Sequence, residues 1–204
     1  MSENARVPAI YSIGYGHRPI EEFVALLKEH GIEFLGDVRS RPYSRFNPDF
    51  SRENIEGVLA AHGIRYVFLG DTLGGDPETV DVRRNQSEER ASYAVDYNLV
   101  RQQPAFRRGM QRLHKAWDQR VPLALMCSES RPEGCHRVRM IGVQLEEDGI
   151  PVLHIDETGT PRTQQDIMLR IDKGQTALPG FGPSGKAATS SRRWKPRAES
   201  SSND

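Results

Sequence analysis

The chain has 204 residues, with 28 Lys or Arg balanced by 28 Asp or Glu, so its formal net charge is zero. This balance excludes a global field that would draw the whole protein to nucleic acid or to a membrane surface, so electrostatic recognition must be local. No run approaches the roughly 18 apolar residues of a membrane span, and residues 1–7 lack the apolar segment of a signal peptide. Two cysteines are too few for a secreted disulfide framework, so we expect a cytoplasmic protein with reduced thiols.

Short apolar runs alternate with amphipathic segments along the chain. The apolar runs predict strands at residues 9–14, 32–38, 64–69, 121–126 and 152–155. The amphipathic segments predict helices at residues 19–30, 52–62, 104–117, 135–148 and 163–173. Ser51 is expected to cap the second helix, with Phe50 and Ile55 packed together as a hydrophobic staple.

This alternation predicts the fold class. Strands that alternate with crossover helices form a three-layer α/β structure, with a mostly parallel sheet covered by helices on both faces in a Rossmann-like arrangement. We expect a single α/β domain over residues 8–173. Residues 70–90 are polar and show no sustained period, which predicts a long loop or lid. Residues 174–204 are rich in Gly, Pro and Ser and locally basic, so they are expected to form a disordered, solvated tail, or alternatively a weak tether for a phosphate backbone.

Three polar loops follow predicted strand ends, at residues 14–18, 37–49 and 127–137. Ligands of parallel α/β sheets bind outside the carboxyl ends of the strands, where such loops converge. We therefore expect Arg39, Glu129 and His136 to share one concave pocket, with His17 at its rim.

The loop 127–137 has the most chemistry-bearing residues, because Cys127, Glu129, Cys135, His136 and Arg137 lie between a strand end and a helix start. Glu129 and His136 are a candidate acid–base pair, and Arg137 could hold an anionic group. A helix N-terminus favours the thiolate of Cys135, whereas the nearby carboxylate of Glu129 opposes a thiolate at Cys127. The alternative is that both cysteines simply pack in the core.

A set of two cysteines and a histidine also raises the question of a metal. Cys135 and His136 are adjacent, the usual Cys-x-x-Cys spacing is missing, and no second cluster is visible in the sequence. His17 and His154 are the remaining candidate ligands, and each reads as an ordinary polar residue near a strand end. The sequence therefore predicts neither a metal nor another cofactor.

The loop 37–49 interleaves basic and aromatic side chains, namely Arg39, Arg41, Tyr43, Arg45 and Phe46. Such a loop could grip a phosphate or stack on a base. Asp37 could orient Arg39 or activate water. The alternative is a solvated loop whose arginines pair with neighbouring carboxylates. The segment 14–17, Gly-Tyr-Gly-His, lacks a full dinucleotide-binding fingerprint.

Four segments together resemble the domain-of-unknown-function 488 family: residues 12–17, 37–48, 66–75 and 127–137. The most specific part is Cys127-x-Glu129, five intervening residues and then Cys135-His136-Arg137. The Gly-Tyr-Gly-His form of segment 14–17 departs from the commoner Gly-His-Ser form. The resemblance spans roughly residues 8–156 and implies an α/β fold and a candidate site, while leaving substrate and reaction open.

The sequence supports hypotheses from different classes. The first is an enzyme that acts on a nucleotide, or on a base in nucleic acid, by hydrolysis or base-directed transfer. The second is rhodanese-like sulfur transfer through a cysteine persulfide, because Asp37-Val-Arg39 on one strand and a cysteine loop opening a helix suit that chemistry. The third is a non-enzymatic module that binds an anion or nucleic acid. The expected partner is a small anionic or nucleotide-like ligand, or nucleic acid bound by the loop 39–46 and the tail, and no membrane.

Overall fold

The computed structural model describes residues 9–75 and 95–176 of the chain. The strands are β1 (Ile10–Gly14), β2 (Phe34–Asp37), β3 (Arg65–Phe68), β4 (Leu123–Cys127), β5 (Val152–Ile155) and β6 (Pro161–Thr163). The α-helices are α1 (Ile20–Glu29), α2 (Arg52–Ala61), α3 (Gly70–Leu73), α4 (Tyr97–Arg101), α5 (Pro104–Asp118), α6 (Val143–Glu147) and α7 (Gln164–Thr176). Single 3-10 turns lie at Pro48–Phe50 and Pro132–Gly134, and a π-helix at Arg137–Gly142 leads into α6.

The strands form one six-stranded sheet in the order β3-β2-β4-β1-β5-β6. All neighbouring strands pair in parallel except β5 and β6, which are antiparallel. Helices α1 and α2 pack on one face of the sheet, and α5 and α6 pack on the other. The three-layer, mostly parallel α/β fold expected from the alternating sequence pattern is confirmed.

The first helix shows why the periodic segments fold as they do. Its apolar residues recur on one side, and Ile20, Phe23, Val24 and Leu27 are all buried. Gly31 follows the helix end with φ +66°, a left-handed conformation that glycine adopts without a steric penalty.

Helix α2 begins after Ser51 as expected, but the capping expectation is wrong in one respect. The Ser51 side chain makes no capping hydrogen bond to the helix. Its Oγ instead accepts from the backbone N–H of Ser44 at 3.1 Å, because the preceding loop folds back over the helix start. Phe50 and Ile55 are fully buried, as the staple requires.

Several elements differ from the sequence-based expectations. Residues 70–73 form the short helix α3 instead of the start of a loop, and residues 76–90 lie outside the described ranges. The helix expected over 135–148 begins two residues later, at Arg137, and opens with π-helical turns. The short elements α4 and β6 were not expected. In the predicted tail, residues 177–204 lie outside the described ranges.

The topology creates a crevice at the carboxyl edge of β4. The connections that leave β1 and β2 lead to α1 and α2 on one face, whereas the connection that leaves β4 leads to the π-helix on the other. Since β4 lies between β1 and β2, the loops diverge around its end. A position where neighbouring loops leave towards opposite faces of the sheet is called a topological switch point, and parallel α/β sheets bind their ligands there. None of the described helices is long and apolar enough to cross a membrane.

Candidate functional site

The loop after β4 folds back on itself and brings its two cysteines together. Cys127 is the last residue of β4 and pairs in register with Gly14 of β1. The 3-10 turn at Pro132–Gly134 reverses the chain, and Cys135 and His136 then lead into the π-helix. A Cβ at Gly14 would lie 1.7 Å from the carbonyl oxygen of Glu129, so only glycine allows the two loops to approach this closely.

Four side chains of this loop converge on one point. The Sγ atoms of Cys127 and Cys135, an oxygen of Glu129 and a ring nitrogen of His136 all lie within 4.8 Å of one another. The Cys127 Sγ is 2.6 Å from Glu129 Oε2 and 3.6 Å from His136 Nδ1. The Cys135 Sγ is 3.2 Å from Glu129 Oε2 and 3.8 Å from His136 Nδ1. Both cysteines and the histidine are buried, whereas Glu129 is exposed.

A hydrogen bond on the side of the ring away from the cysteines fixes the orientation of His136. Its Nε2 lies 3.1 Å from the carbonyl oxygen of Val38, to which it can only donate a hydrogen. The neutral ring therefore carries its lone pair on Nδ1, which faces the two sulfur atoms. A metal-binding histidine is commonly held in this way, with its second nitrogen donating to a carbonyl. Gly75 covers the ring, where a Cβ would lie 2.6 Å from Nδ1.

Arg137 lies against the cysteines on the inner side. Its side chain is buried, and its Nε donates to the Sγ of Cys135 at 3.1 Å. Its other groups donate to Ser12 Oγ at 3.2 Å and to the Glu129 carbonyl oxygen at 2.9 Å. Among the residues the structure describes, the guanidinium hydrogen-bonds no carboxylate. It therefore places a fixed positive charge beside the thiols.

A buried chain of hydrogen bonds supports Arg137 through Ser12. The Ser12 hydroxyl is 2.7 Å from His154 Nδ1, and His154 Nε2 is 2.7 Å from Gln164 Oε1. Gln164 donates its Nε2 to the Val138 carbonyl at 3.1 Å, which leaves Oε1 to accept from His154. The directions follow: His154 is neutral and donates from Nε2, and Ser12 donates to its Nδ1.

Burial and these contacts shift several pKa values. The hydrogen bond that the Cys127 thiol donates to Cys135, burial and the Cys135 charge raise the pKa of Cys127. Burial opposes a thiolate at Cys135, but the Cys127 hydrogen bond and the Arg137 charge hold its pKa well below its usual value. Burial lowers the pKa of His136, yet its contacts with Cys135 outweigh that effect and raise it. Burial raises the pKa of Tyr97 to about 12, and the neighbouring Cys135 and Glu129 add to this.

The other predicted arginine, Arg39, lies in a separate cluster. Its guanidinium donates to both carboxylate oxygens of Asp37, with the shortest bond at 2.6 Å, and to the Phe50 carbonyl at 2.8 Å. Tyr66 donates to the same carboxylate at 2.8 Å. Asp37 is completely buried, so it has no access to solvent water. We assign this pair to the scaffold that positions β2.

A cleft of about 940 Å³ opens in front of Glu129. His17, Phe46, Arg131 and Arg170 are among the residues that line it. Arg170 forms ion pairs with Glu133 at 3.3 Å and with Asp156 at 3.2 Å. The Arg131 side chain, by contrast, is 78 % exposed. The cleft is within the size range of small-ligand sites, which run from roughly 300 to 1,000 Å³.

The structure thus unites part of the predicted site. Cys127, Glu129, Cys135, His136 and Arg137 come together, and His17 lies on the cleft that Glu129 lines. Arg39 and His136, which were also expected to line this pocket, are buried and are not among the residues that line the cleft. Of the loop arginines, Arg41 and Arg45 are exposed, and so is Tyr43.

Sequence reasoning missed the supporting residues Ser12, Tyr97 and Gln164, and read His154 as an ordinary polar residue. Nothing in their local sequence marks them, because their partners are far along the chain. The one available signal was the placement of Ser12 and His154 inside strands that otherwise read as apolar.

The chain matches a known protein family. The family described as Domain of unknown function DUF488 matches residues 19–143. No curated protein and no solved structure matches the chain.

Proposed function

Since the chain belongs to the DUF488 family, whose description names no activity, we propose its function from the site itself. We propose a metal-dependent hydrolase in which Cys127, Cys135 and His136 hold a divalent ion of the zinc class. Glu129 would act beside the ion as the general acid and base. The observation that carries this proposal is the convergence, within 4.8 Å of one another, of the Cys127, Cys135 and His136 donor atoms and a Glu129 carboxylate oxygen.

The distances suit tetrahedral coordination. Zinc bonds of roughly 2.3 Å to sulfur and roughly 2.0–2.2 Å to nitrogen or oxygen require ligand atoms to lie roughly 3.5–3.8 Å apart. The His136 Nδ1 lies 3.6 and 3.8 Å from the two sulfur atoms, which agrees with that requirement. The 2.6 Å separation of Cys127 Sγ and Glu129 Oε2 is too short for two ligands of one ion. Glu129, the one exposed member, would therefore have to move outward, which suits a group that handles protons.

The charges support the same assignment. Two thiolates and one carboxylate carry three negative charges, and a divalent ion with Arg137 carries three positive charges. The sum is zero, so the charges of the cluster and of Arg137 compensate one another. Within the described residues no carboxylate hydrogen-bonds the buried Arg137 guanidinium, so the charge that balances it has to come from the neighbouring thiolates.

An ion held by Cys127, Cys135 and His136 would supply an activated water as the nucleophile. The protein's own groups do the rest. Glu129 faces the cleft and can take a proton from the nucleophile and pass it to the leaving group. His136 and Arg137 are fixed by the Val38 carbonyl and by Ser12, so the ligands are held in place before substrate arrives.

The metal content of the full-length chain tests this proposal. Protein purified after growth with Zn²⁺ should contain close to one equivalent of metal, measured by plasma mass spectrometry after extensive dialysis. Cys127→Ser and His136→Asn should lose it, while His114→Asn, which removes an exposed histidine outside the cluster, should keep it. Protein that contains no metal as isolated and takes up none on addition of Zn²⁺ would contradict the proposal.

The role of Glu129 is tested separately, with Glu133→Gln as the matched control, because Glu133 lines the same cleft without joining the cluster. The metal-loaded protein is incubated with a panel of nucleosides and 5′-mononucleotides, and products are identified by mass. Glu129→Gln should abolish any hydrolysis while retaining the metal, and Glu133→Gln should preserve both. Equal turnover in wild type and Glu129→Gln would remove Glu129 from the chemistry.

Sulfur transfer is the second candidate, favoured by the Arg137 Nε that lies 3.1 Å from the Cys135 Sγ and stabilises a thiolate. Cys127 and Cys135 are only 3 % and 1 % exposed, which opposes attack on a donor. Treatment with thiosulfate, followed by intact mass measurement, separates the two proposals. A gain of one sulfur atom on either cysteine would support sulfur transfer over hydrolysis.

A further inference from the structure

We propose that Phe46, backed by Arg45, is a stacking platform for the base of the substrate, so that the site acts on a nucleotide unit. This inference rests on the proposed hydrolytic function and names its substrate class. A nucleotide unit combines a flat aromatic base with an anionic phosphate, and the loop that carries Phe46 offers a partner for each.

The first support is the exposure of the aromatic rings. Phe46 is 88 % exposed and Tyr43 is 70 % exposed, and both lie in one short loop. Among the described residues, the other large exposed apolar side chains are Leu99 and Leu169, which are less exposed at 45 % and 48 %. Of these four residues Phe46 is the one that lines the cleft, so its exposed ring is available to a ligand there.

The second support is the rigidity of the loop. The backbone N–H of Asn47 donates to Ser44 Oγ at 3.2 Å, and the Asn47 side chain donates to the Arg18 carbonyl at 3.2 Å. The N–H of Arg52 donates to the Pro42 carbonyl at 2.9 Å. These bonds tie both ends of the loop to the body of the protein. The rings are thus presented to solvent by an ordered backbone, which lowers the entropic cost of stacking a ligand on them.

The third support is position. Phe46 lines the same cleft as His17 and Glu129, so a base on its ring lies in the chamber onto which the proposed metal centre opens. The Arg45 guanidinium lies over the Phe46 ring at 4.6 Å from its centroid, which leaves the opposite ring face for a base. Arg131 lines the same cleft and Arg45 lies on the Phe46 ring, and both are exposed cations that suit a phosphate group.

The test uses full-length protein, with 5′-mononucleotides followed by calorimetry and a fluorescein-labelled single-stranded DNA octamer followed by anisotropy. Phe46→Leu keeps an apolar side chain but removes the aromatic face, and it should weaken binding about 5- to 150-fold, the range for losing one stacked base. Phe46→Trp should bind at least as tightly as wild type. Leu99→Ala, which removes an exposed apolar side chain outside the cleft, should bind unchanged.

The two probes distinguish the sources of the base. Comparable affinity for both indicates a free nucleotide, and binding of the octamer alone indicates a nucleic-acid strand; either supports the platform. Unchanged binding in Phe46→Leu, or no binding of either probe by wild type, would overturn it. Metal content is measured in every variant. Loss of binding with metal retained concerns the platform alone, whereas absence of metal in wild type concerns the hydrolytic function.

Discussion

Two buried arginines lie at the same edge of the sheet and differ in how their charges are balanced. Arg39, 5 % exposed, is neutralised by the carboxylate of Asp37 in a pair that also bonds Tyr66. Arg137, 1 % exposed, bonds a sulfur, a hydroxyl and a carbonyl, and within the described residues no carboxylate. Arg39 and Asp37 therefore form a neutral structural pair. Arg137 leaves a positive charge to be balanced, and the thiols beside it are the groups that can balance it.

This difference shows why residue type alone does not identify an anion site. The sequence presents both arginines beside polar loops at strand ends, and both read there as substrate ligands. Which one is available depends on whether a carboxylate has already bonded it. A substitution at one of these two arginine sites should leave the other site intact.

The largest effect is expected on the scaffold side. Asp37→Asn removes the charge that compensates Arg39, and breaking a buried pair in this way costs about 3 to 5 kcal/mol of unfolding free energy. Chemical denaturation measures it. Arg131→Gln, which breaks a long and exposed contact with Glu157, is the control and should cost less than about 1 kcal/mol. If the unfolding free energy of Asp37→Asn falls only slightly, the Arg39–Asp37 pair is not shielded from water.

The next effect is a pH dependence of stability, which arises from His154 in the hydrogen-bond chain that supports Arg137. Burial, helped by the Arg137 charge, lowers the pKa of His154 from its usual 6.5 to about 4. Because the folded pKa is depressed, His154 contributes stability that is complete above about pH 6.5 and is lost as the pH falls towards 4. Between pH 7.5 and 4.5 this loss should amount to about 2 to 3 kcal/mol.

His154→Gln isolates that contribution because glutamine does not titrate. Its unfolding free energy should fall less than that of wild type over the same pH interval, as measured by denaturant titration at each pH. Parallel pH profiles for the two proteins would show that His154 is not held neutral by its surroundings.

A smaller effect is expected from removing the Arg137 charge itself. Arg137→Gln should weaken Zn²⁺ binding about 10- to 100-fold, the usual consequence of losing a group that supports metal ligands. Competition with a chromophoric chelator measures it. Arg39→Gln, although destabilising, should bind Zn²⁺ as wild type does when assayed below its unfolding transition. Equal weakening in both variants would show that the two arginines do not differ in the way described here.

Much of this architecture follows from local sequence. The strands and long helices were predicted because burial imposes a period on their apolar residues, as in α1 and β4. Elements that lack such a period were missed: β6 is the short polar segment Pro-Arg-Thr, and α4 has only five residues, too few to show a helical period. The failure of the Ser51 cap has a similar origin, since its hydroxyl is taken by Ser44 from another part of the loop.

The candidate site divides in the same way. Cys127 and Cys135 were placed correctly at a strand end and near a helix start, because both positions depend on nearby residues. The expectation of no metal rested on the missing Cys-x-x-Cys spacing. Spacing reports only local geometry, whereas here a 3-10 turn reverses the loop and brings the separated cysteine and histidine side chains together. The pairing of Asp37 with Arg39 was equally open in the sequence, because solvated and paired arginines look alike there.

X-ray absorption at the zinc edge, on full-length protein loaded with one equivalent of Zn²⁺, tests the central claim most directly. We predict a four-coordinate ion with two sulfur ligands at about 2.3 Å and the remaining nitrogen or oxygen ligands at about 2.0 to 2.2 Å. Cys127→Ser should lose one sulfur from that shell. A spectrum with only oxygen and nitrogen ligands would show that the cysteines hold no metal and would contradict the account.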